Sequence, residues 1–238
     1  MPPGAVRING MTSAAASLAM LERRQAVLAN NLANASTHGF KQERAFATLV
    51  ADAVSAVDTR VDLTPGTLAP SGNPLDLALE GDGFFVVKTP AGERHVRGGS
   101  FHLDAERRVV DHAGNPLLTE SGELTLPPGA LSQLEVNASG DVKLAGKAVG
   151  RLRVESIAAN ANPQHEGGVR FIPDASRQPV APEARRVAQG ALEESNVNPM
   201  DAMTSMLDVL HRFGAAQKTI AALDSVRGIA VTDLGKPV

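Results

Sequence analysis

The sequence predicts an α+β protein in which both ends of the chain form one discontinuous helical coiled-coil domain and an all-β domain is inserted between them. Two observations carry this prediction. Near each end, apolar residues recur at steps of three and four, which is the spacing of a coiled-coil seam. Between the ends the period changes to two, and clusters of Gly, Pro and Asn separate short apolar runs.

Changes of pattern place the domain boundaries. We expect residues 1–41 to form the N-terminal helix with an asparagine-rich turn, 42–64 a connector, 65–191 the β domain and 192–238 the C-terminal helix. Periodicity does not decide whether the Ala/Val-rich stretch 43–57 continues as helix or is extended.

The N-terminal helix carries a seam that only Gln25 interrupts, with large residues at Leu18, Leu21, Leu28 and Leu32. Asn34 is a plausible helix end, because asparagine tolerates the left-handed conformation, and Gly39 permits a turn before Phe40. Asn30 and Asn31 stand where the seam is still running. We expect at least one of these amides to bond another segment or subunit.

The β domain is expected to begin where leucines alternate with other residues from Leu75 to Leu79, the pattern of a half-buried strand. Gly81–Asp82–Gly83 and a second apolar run follow, which predicts a hairpin. Residues 160–182 read as a long loop with one strand near 169–171. The expected core is Leu77, Leu79, Phe84, Val86, Phe101, Leu103, Leu124, Leu126, Val142, Leu144, Leu152 and Val154. A fragment from about Thr64 to Ala191 is expected to fold alone.

The C-terminal helix has a strong start signal, with Asn198 as N-cap and Pro199 at the first helical position. Gly228 is its expected end. Its stripe contains Met203, Met206, Leu210, Phe213 and Ile220. Both helical stripes need a partner and hold few large residues, so we expect burial between subunits where one molecule cannot satisfy them.

Composition excludes several classes of function. The net charge is −3 and Lys and Arg form no dense patch, which argues against nucleic-acid binding. No run of eighteen apolar residues and no ordinary secretory signal is found. There is no cysteine, which excludes disulfides, thiolate zinc sites and Cys nucleophiles. Histidines and carboxylates are scattered, so we predict no catalytic site, no metal site, no cofactor and no small-molecule substrate.

Four ordered sequence blocks resemble the bacterial flagellar rod and hook proteins over nearly the whole chain. Residues 72–85 resemble the block that opens the rod proteins' β domain, and 97–101 the block after it. The other two blocks supply the candidate assembly residues: Asn30, Asn31, Asn34, Thr37, Gly39, Phe40 and Lys41 near the N-terminus, and Ser195, Asn196 and Val197 at the entry to the C-terminal helix.

The chain also departs from the family pattern. His95–Val96 stands where the family usually has Tyr-Thr, and Arg107–Arg108 where a glycine turn is usual. Arg212–Phe213 and Gln217–Lys218 look more like the proximal rod protein than the distal one.

The resemblance implies a structural subunit of the flagellar basal-body rod, exported by the flagellar type III apparatus without a cleaved signal. Its partners would be other copies of itself and other rod or hook proteins. Head-to-tail contacts that do not close would give a helical tube, with terminal helices inside and the β domain outside. The alternatives are a distal rod or hook subunit, a soluble scaffold or adhesin with a helical stalk, and an enzyme.

Overall fold

The structure is a computed structural model that describes residues 10–50, 53–158 and 161–234. The expected domain ranges also cover 1–9 and 235–238, which lie outside the described residues. The helices are α1, Gly10–Ala33, and α2, Pro199–Leu234. The strands are β1 Glu43–Val50, β2 Ala53–Val61, β3 Leu68–Pro70, β4 Asp76–Leu79, β5 Phe84–Thr89, β6 Gly92–Val96, β7 Gly98–Ser100, β8 His102–Leu103, β9 Val109–Val110, β10 Leu118–Thr119, β11 Gly122–Glu123, β12 Leu134–Val136, β13 Asp141–Leu144, β14 Lys147–Arg151, β15 Val154–Ser156, β16 Arg170–Phe171, β17 Gln178–Pro179, β18 Val187–Gln189 and β19 Ala191–Glu193.

The described chain divides into two compact units, so the α+β class is confirmed. Within the described residues, the helical unit contains 10–33, 43–50, 53–60 and 198–234, and the β unit contains 34–42, 61–158 and 161–197. No helix in the described part of the chain combines the length and the hydropathy that a membrane crossing requires.

In the helical unit, α1 packs against α2 and against β1. The helix ends follow local signals: α1 stops at Ala33, just before Asn34, and the Asn198 Oδ1 accepts a hydrogen bond from the Met200 N–H at 3.0 Å. The stretch that periodicity left undecided is extended, because β1 and β2 form a two-stranded sheet.

The expected end of α2 at Gly228 is wrong, since the helix continues to Leu234. A single glycine lowers helix propensity by only about 1 kcal/mol and removes no backbone donor. The residues after it can therefore carry the helix onward.

The β unit is built from antiparallel strands in several small sheets. The largest has the order β16-β6-β5-β15-β17, and two three-stranded sheets have the orders β18-β4-β7 and β12-β13-β14. Every predicted core side chain except Leu103 is buried. Leu103 is half-buried and packs against the hydrophobic core of the β unit. The strand expected near 169–171 is β16, whereas β17 was not foreseen.

The predicted hairpin around Gly81–Asp82–Gly83 is wrong. Strand β4 pairs with β18 and β7, whereas β5 pairs with β6 and β15. The Arg97 guanidinium occupies the loop between β4 and β5 and donates to the carbonyls of Leu79, Gly81 and Gly83 at 3.3, 2.7 and 2.5 Å. These bonds hold the two strands in different sheets. Strand β4 is also buried on both faces, not on one.

Arg107 forms the turn between β8 and β9. Its φ of 61° lies in the left-handed region, which an arginine adopts at a cost. The guanidinium donates to the carbonyls of Leu126 at 3.0 Å and Pro127 at 2.9 Å. These hydrogen bonds offset the backbone strain at Arg107.

Candidate assembly site

Three chain segments meet inside the β unit, and we name their meeting place the crossing: residues 39–42, 61–67 and 191–197. The side-chain amide of Asn196 ties all three together. Its Oδ1 accepts from the Gln42 N–H at 2.7 Å, and its Nδ2 donates to the carbonyls of Asp62 and Thr64 at 2.9 and 3.0 Å. The crossing lies where the chain leads out of α1 and into α2.

A buried charge cluster lies beside this amide. Glu193 accepts from the Lys41 ammonium at 2.5 Å and from the Arg97 Nε at 3.1 Å, and all three side chains are at most 2% exposed. Its Oε1 also accepts from the Gly66 N–H at 2.8 Å, and Lys41 donates to the Thr64 carbonyl at 2.7 Å. Because the carboxylate meets two cations and a backbone donor, its burial is compensated.

The pKa of Lys41 lies below its ordinary value because burial outweighs the pairing with Glu193. Burial lowers the pKa of the Lys41 ammonium, and its hydrogen bond and charge contact with Glu193 act in the opposite direction. Lys41 and Arg97 share one carboxylate. Among the described residues, Glu193 is the only anion in direct contact with them. Removing it would leave both cations buried without a counter-charge.

The expectation that Asn30 or Asn31 bonds another segment is confirmed for Asn31. Its Oδ1 accepts from the Glu43 N–H at 2.9 Å, and its Nδ2 donates to the Glu43 carbonyl at 2.7 Å. The side chain is fully buried. Asn31 therefore pairs with the backbone at the start of β1 as another strand would, entirely within the helical unit.

The remaining residues of the asparagine-rich block form the turn that leads into the crossing. The Thr37 N–H donates to the Asn34 carbonyl at 3.0 Å, and Gly39 has a φ of 74°, as its predicted turn role requires. The Gly39 N–H donates to the Glu193 carbonyl at 2.7 Å. Phe40 is buried, with its ring centroid 5.6 Å from that of His165.

The residues of the C-terminal block also make contacts within their own chain. The Ser195 Oγ accepts from the Val197 N–H at 3.2 Å, and Val197 is buried. The family-motif residues described so far thus bond within their own chain. A role for them in contacts between subunits stays a prediction.

The predicted seam residues are not all equivalent. On α1, the four leucines are half-buried, and Val27, which was not in the predicted seam, is fully buried. Among the residues of α2 whose burial is described, Ala202 and Val209 are buried, whereas Met206, Phe213 and Ile220 are half-buried.

Four of the exposed apolar residues of α2 form a separate row, which we name the outer stripe. It consists of Met200, Met203, Leu207 and Leu210, which are 70%, 48%, 58% and 44% exposed. Their steps of three, four and three place them along one side of the helix. Met203 and Leu210 were predicted as seam residues, but they face away from the buried row of α2.

Among the described residues, no group of three or more His, Asp or Glu side chains could hold a metal ion. The β unit has an open cleft of about 510 Å³ whose lining includes Asp111, Glu166 and Arg170. Glu166 is bound by Arg94, and Asp111 accepts from Asn115. Both carboxylates are thus engaged in ordinary structural contacts.

The crossing changes the expectation for a β-domain fragment. A fragment of residues 64–191 lacks Phe40, Lys41 and Glu193, all of which are buried in the β unit. We now expect this fragment to lack a cooperative melt, whereas a fragment of residues 34–197 should melt cooperatively. Thermal melts of both fragments by circular dichroism test this. A cooperative transition of the shorter fragment at the same temperature would show that the crossing contributes nothing.

Comparison with known protein families gives three matches along the chain. Residues 11–41 match the model described as "Flagella basal body rod protein". Residues 78–144 match "Flagellar hook protein FlgE/F/G D1 domain", and residues 188–232 match "Flagellar basal body rod FlgEFG protein C-terminal".

Similar curated proteins cover most of the chain. "Flagellar basal-body rod protein FlgF" of Salmonella typhimurium is 33% identical over 87% of this chain and 90% of its own length. The protein of the same name from Caulobacter vibrioides is 32% identical over 91% of this chain and 94% of its own. "Flagellar basal-body rod protein FlgG" of Buchnera aphidicola subsp. Schizaphis graminum is 27% identical over 84% and 90%.

Proposed function

Since this chain belongs to the family of bacterial flagellar basal-body rod proteins and is a structural subunit of that rod, we propose that it joins the rod through its two terminal helices. In this proposal the outer stripe of α2 is buried against a terminal helix of another rod subunit. The half-buried leucines of α1 supply further apolar surface at the same contact.

The outer stripe is the observation that supports this proposal. Four large apolar side chains exposed in one row of a helix are unfavourable in water and call for a partner. Burying one such side chain fully stabilises a contact by about 1.5–3 kcal/mol. Several copies of this small contact, repeated along a polymer, can hold a rod together where a single contact would be weak.

The geometry of assembly follows from the position of the outer stripe on one side of α2. A row on α2 that meets a different surface on the next subunit gives a head-to-tail contact, and such contacts build open helical filaments when the rotation does not close. Neighbours would be other copies of this chain and other rod or hook proteins. The subunit would reach its place through the flagellar type III export apparatus.

Position along the rod is part of the proposal. The FlgF relatives are 32–33% identical to this chain and the FlgG relative 27%. This order favours the proximal position that Arg212–Phe213 and Gln217–Lys218 indicate. The distal position is the alternative.

Electron microscopy of the purified full chain at high concentration tests the proposal. Helical tubes, or incorporation into rods assembled with the other rod proteins, are expected. A discrete dimer under all conditions would support a stalk and contradict assembly through the helices. Localisation in isolated basal bodies is the companion experiment, since a protein absent from the rod would contradict both the helix contact and the position.

A further inference from the structure

His95 is a titratable side chain that is fully buried in the β unit and takes no part in the crossing. It lies on β6 and stacks on Phe84, with ring centroids 5.3 Å apart and planes 13° from parallel. Its Nε2 lies 2.8 Å from a carboxylate oxygen of Glu155 on β15. Because β6 and β15 lie on either side of β5, this contact joins two strands that are not neighbours in the sheet.

The contact specifies how the imidazole is protonated. An ionised carboxylate only accepts hydrogen bonds, so Nε2 carries the proton and donates it to Glu155. The other nitrogen, Nδ1, is then an unprotonated acceptor. It is buried and has no hydrogen-bond partner in the part of the chain that the structure describes. A second proton would have to be placed on Nδ1, where no acceptor lies.

The surrounding charges do not favour a second proton. From the position just before β15, Arg153 donates to Glu155 at 2.8 Å, and from the loop before β17 the Arg177 Nη1 lies 4.0 Å from the same carboxylate. Both arginines also contact Glu93, on the strand of His95 itself. The positions paired with His95 on β5 and β16 are Val86 and Phe171, which do not titrate.

Burial lowers the pKa of His95 most strongly, and the charges of Arg177 and Arg153 act in the same direction. The hydrogen bond and charge of Glu155 act in the opposite direction without overcoming burial. The imidazole is therefore neutral in the folded protein at neutral pH.

We propose that His95 makes the β unit acid-sensitive: in mildly acidic solution the unfolded chain binds a proton on this imidazole that the folded unit, with Nδ1 buried and Nε2 bonded to Glu155, excludes, and this difference destabilises the unit. The proposal concerns this chain's own response to acid and does not depend on how its helices assemble.

The direction of the effect follows from proton linkage. In the unfolded chain His95 titrates near its ordinary pKa of 6.5, and in the folded protein its pKa is lower. Above pH 6.5 the imidazole is neutral in both the folded and the unfolded state, so His95 contributes no pH dependence there. Below it the unfolded chain binds a proton that the folded protein does not, so stability falls with pH until the folded pKa is reached. From pH 7.5 to 5.5 this one group raises the unfolding constant by up to about tenfold.

The test compares the wild-type full chain with His95→Gln. Glutamine keeps an N–H donor for Glu155 and cannot titrate. Urea unfolding followed by circular dichroism at pH 7.5 and 5.5 gives the ratio of unfolding constants. We expect the ratio to be larger in the wild type, by up to about tenfold. The exposed His102 provides the matched control, because His102→Gln should retain the wild-type pH dependence.

Equal pH dependence in the wild type and His95→Gln would overturn the proposal. Should His95→Gln not fold, nuclear magnetic resonance titration of the wild-type histidines decides the question. The ring signals of His95 should stay those of a neutral imidazole as pH falls below 6.5. A charged imidazole in the folded protein at that pH would overturn the proposal.

Discussion

Glu193→Ala is expected to destabilise the β unit by about 3–5 kcal/mol, because the substitution leaves two cations buried without a counter-charge. Lys41 and Arg97 both contact this carboxylate, and their side chains are 0% and 2% exposed. The Gly66 N–H also loses its acceptor. The loss is a large fraction of the stability of a typical domain, which is about 5–15 kcal/mol, so the variant should unfold at a much lower urea concentration than the wild type.

Urea unfolding followed by circular dichroism measures this loss, since the chain has no Trp or Tyr whose fluorescence could report unfolding. Glu194→Ala is the matched control, because Glu194 is the next residue and its side chain is exposed. Glu193→Gln separates charge from size and should also be strongly destabilised. If Glu193→Ala and Glu194→Ala unfold at the same urea concentration, the buried cluster does not stabilise the crossing.

The second large effect is expected from Leu207→Asp, which should abolish assembly and leave the folded subunit intact. Leu207 is 58% exposed in the centre of the outer stripe, so a charge there costs the isolated molecule little, within about 0.5 kcal/mol. In an assembled rod the same charge would be buried without a partner, which costs several kcal/mol at every copy of the contact.

Motility of a strain that carries the variant, together with the sedimentation of purified protein, measures the effect. Thr219→Asp adds the same charge at an exposed position of α2 about 120° around the helix from Leu207. This control should assemble normally. Normal motility of the Leu207→Asp strain would mean that the outer stripe is not an interface.

Local signals accounted for much of the fold. The N-cap at Asn198, the helix end before Asn34 and the turn at Gly39 each depend on one residue's backbone preference or side-chain bond. The β-unit core was also predicted well, because alternation along a strand reports which side chains face inward. These features can be inferred from neighbouring residues alone.

The crossing could not be inferred in this way. Lys41 was named only through the family motif, and Glu193 and Arg97 were not predicted as site residues. A charged residue in a sequence usually indicates a solvated face, and only the fold brings these three from positions 41, 97 and 193 into contact. Lys41 and Arg97 lie inside sequence blocks that resemble the family, and this position was the available signal that they matter.

The outer stripe shows a different limit of periodicity. Steps of three and four locate an apolar row on α2, but the helix carries two such rows. The prediction combined Met203 and Leu210 from the exposed row with half-buried residues such as Phe213. Which row meets α1 depends on the packing of small side chains, since the buried positions are Ala202 and Val209.

Photo-crosslinking from position 207 in isolated basal bodies tests the central claim most directly. A photoreactive amino acid replaces Leu207, and in a second strain it replaces Thr219. We predict that position 207 crosslinks to a terminal helix of another rod subunit, whether a copy of this chain or a related protein, and that position 219 crosslinks far less. Crosslinks from 207 that stay within its own chain, or that equal those from 219, would contradict assembly through the outer stripe.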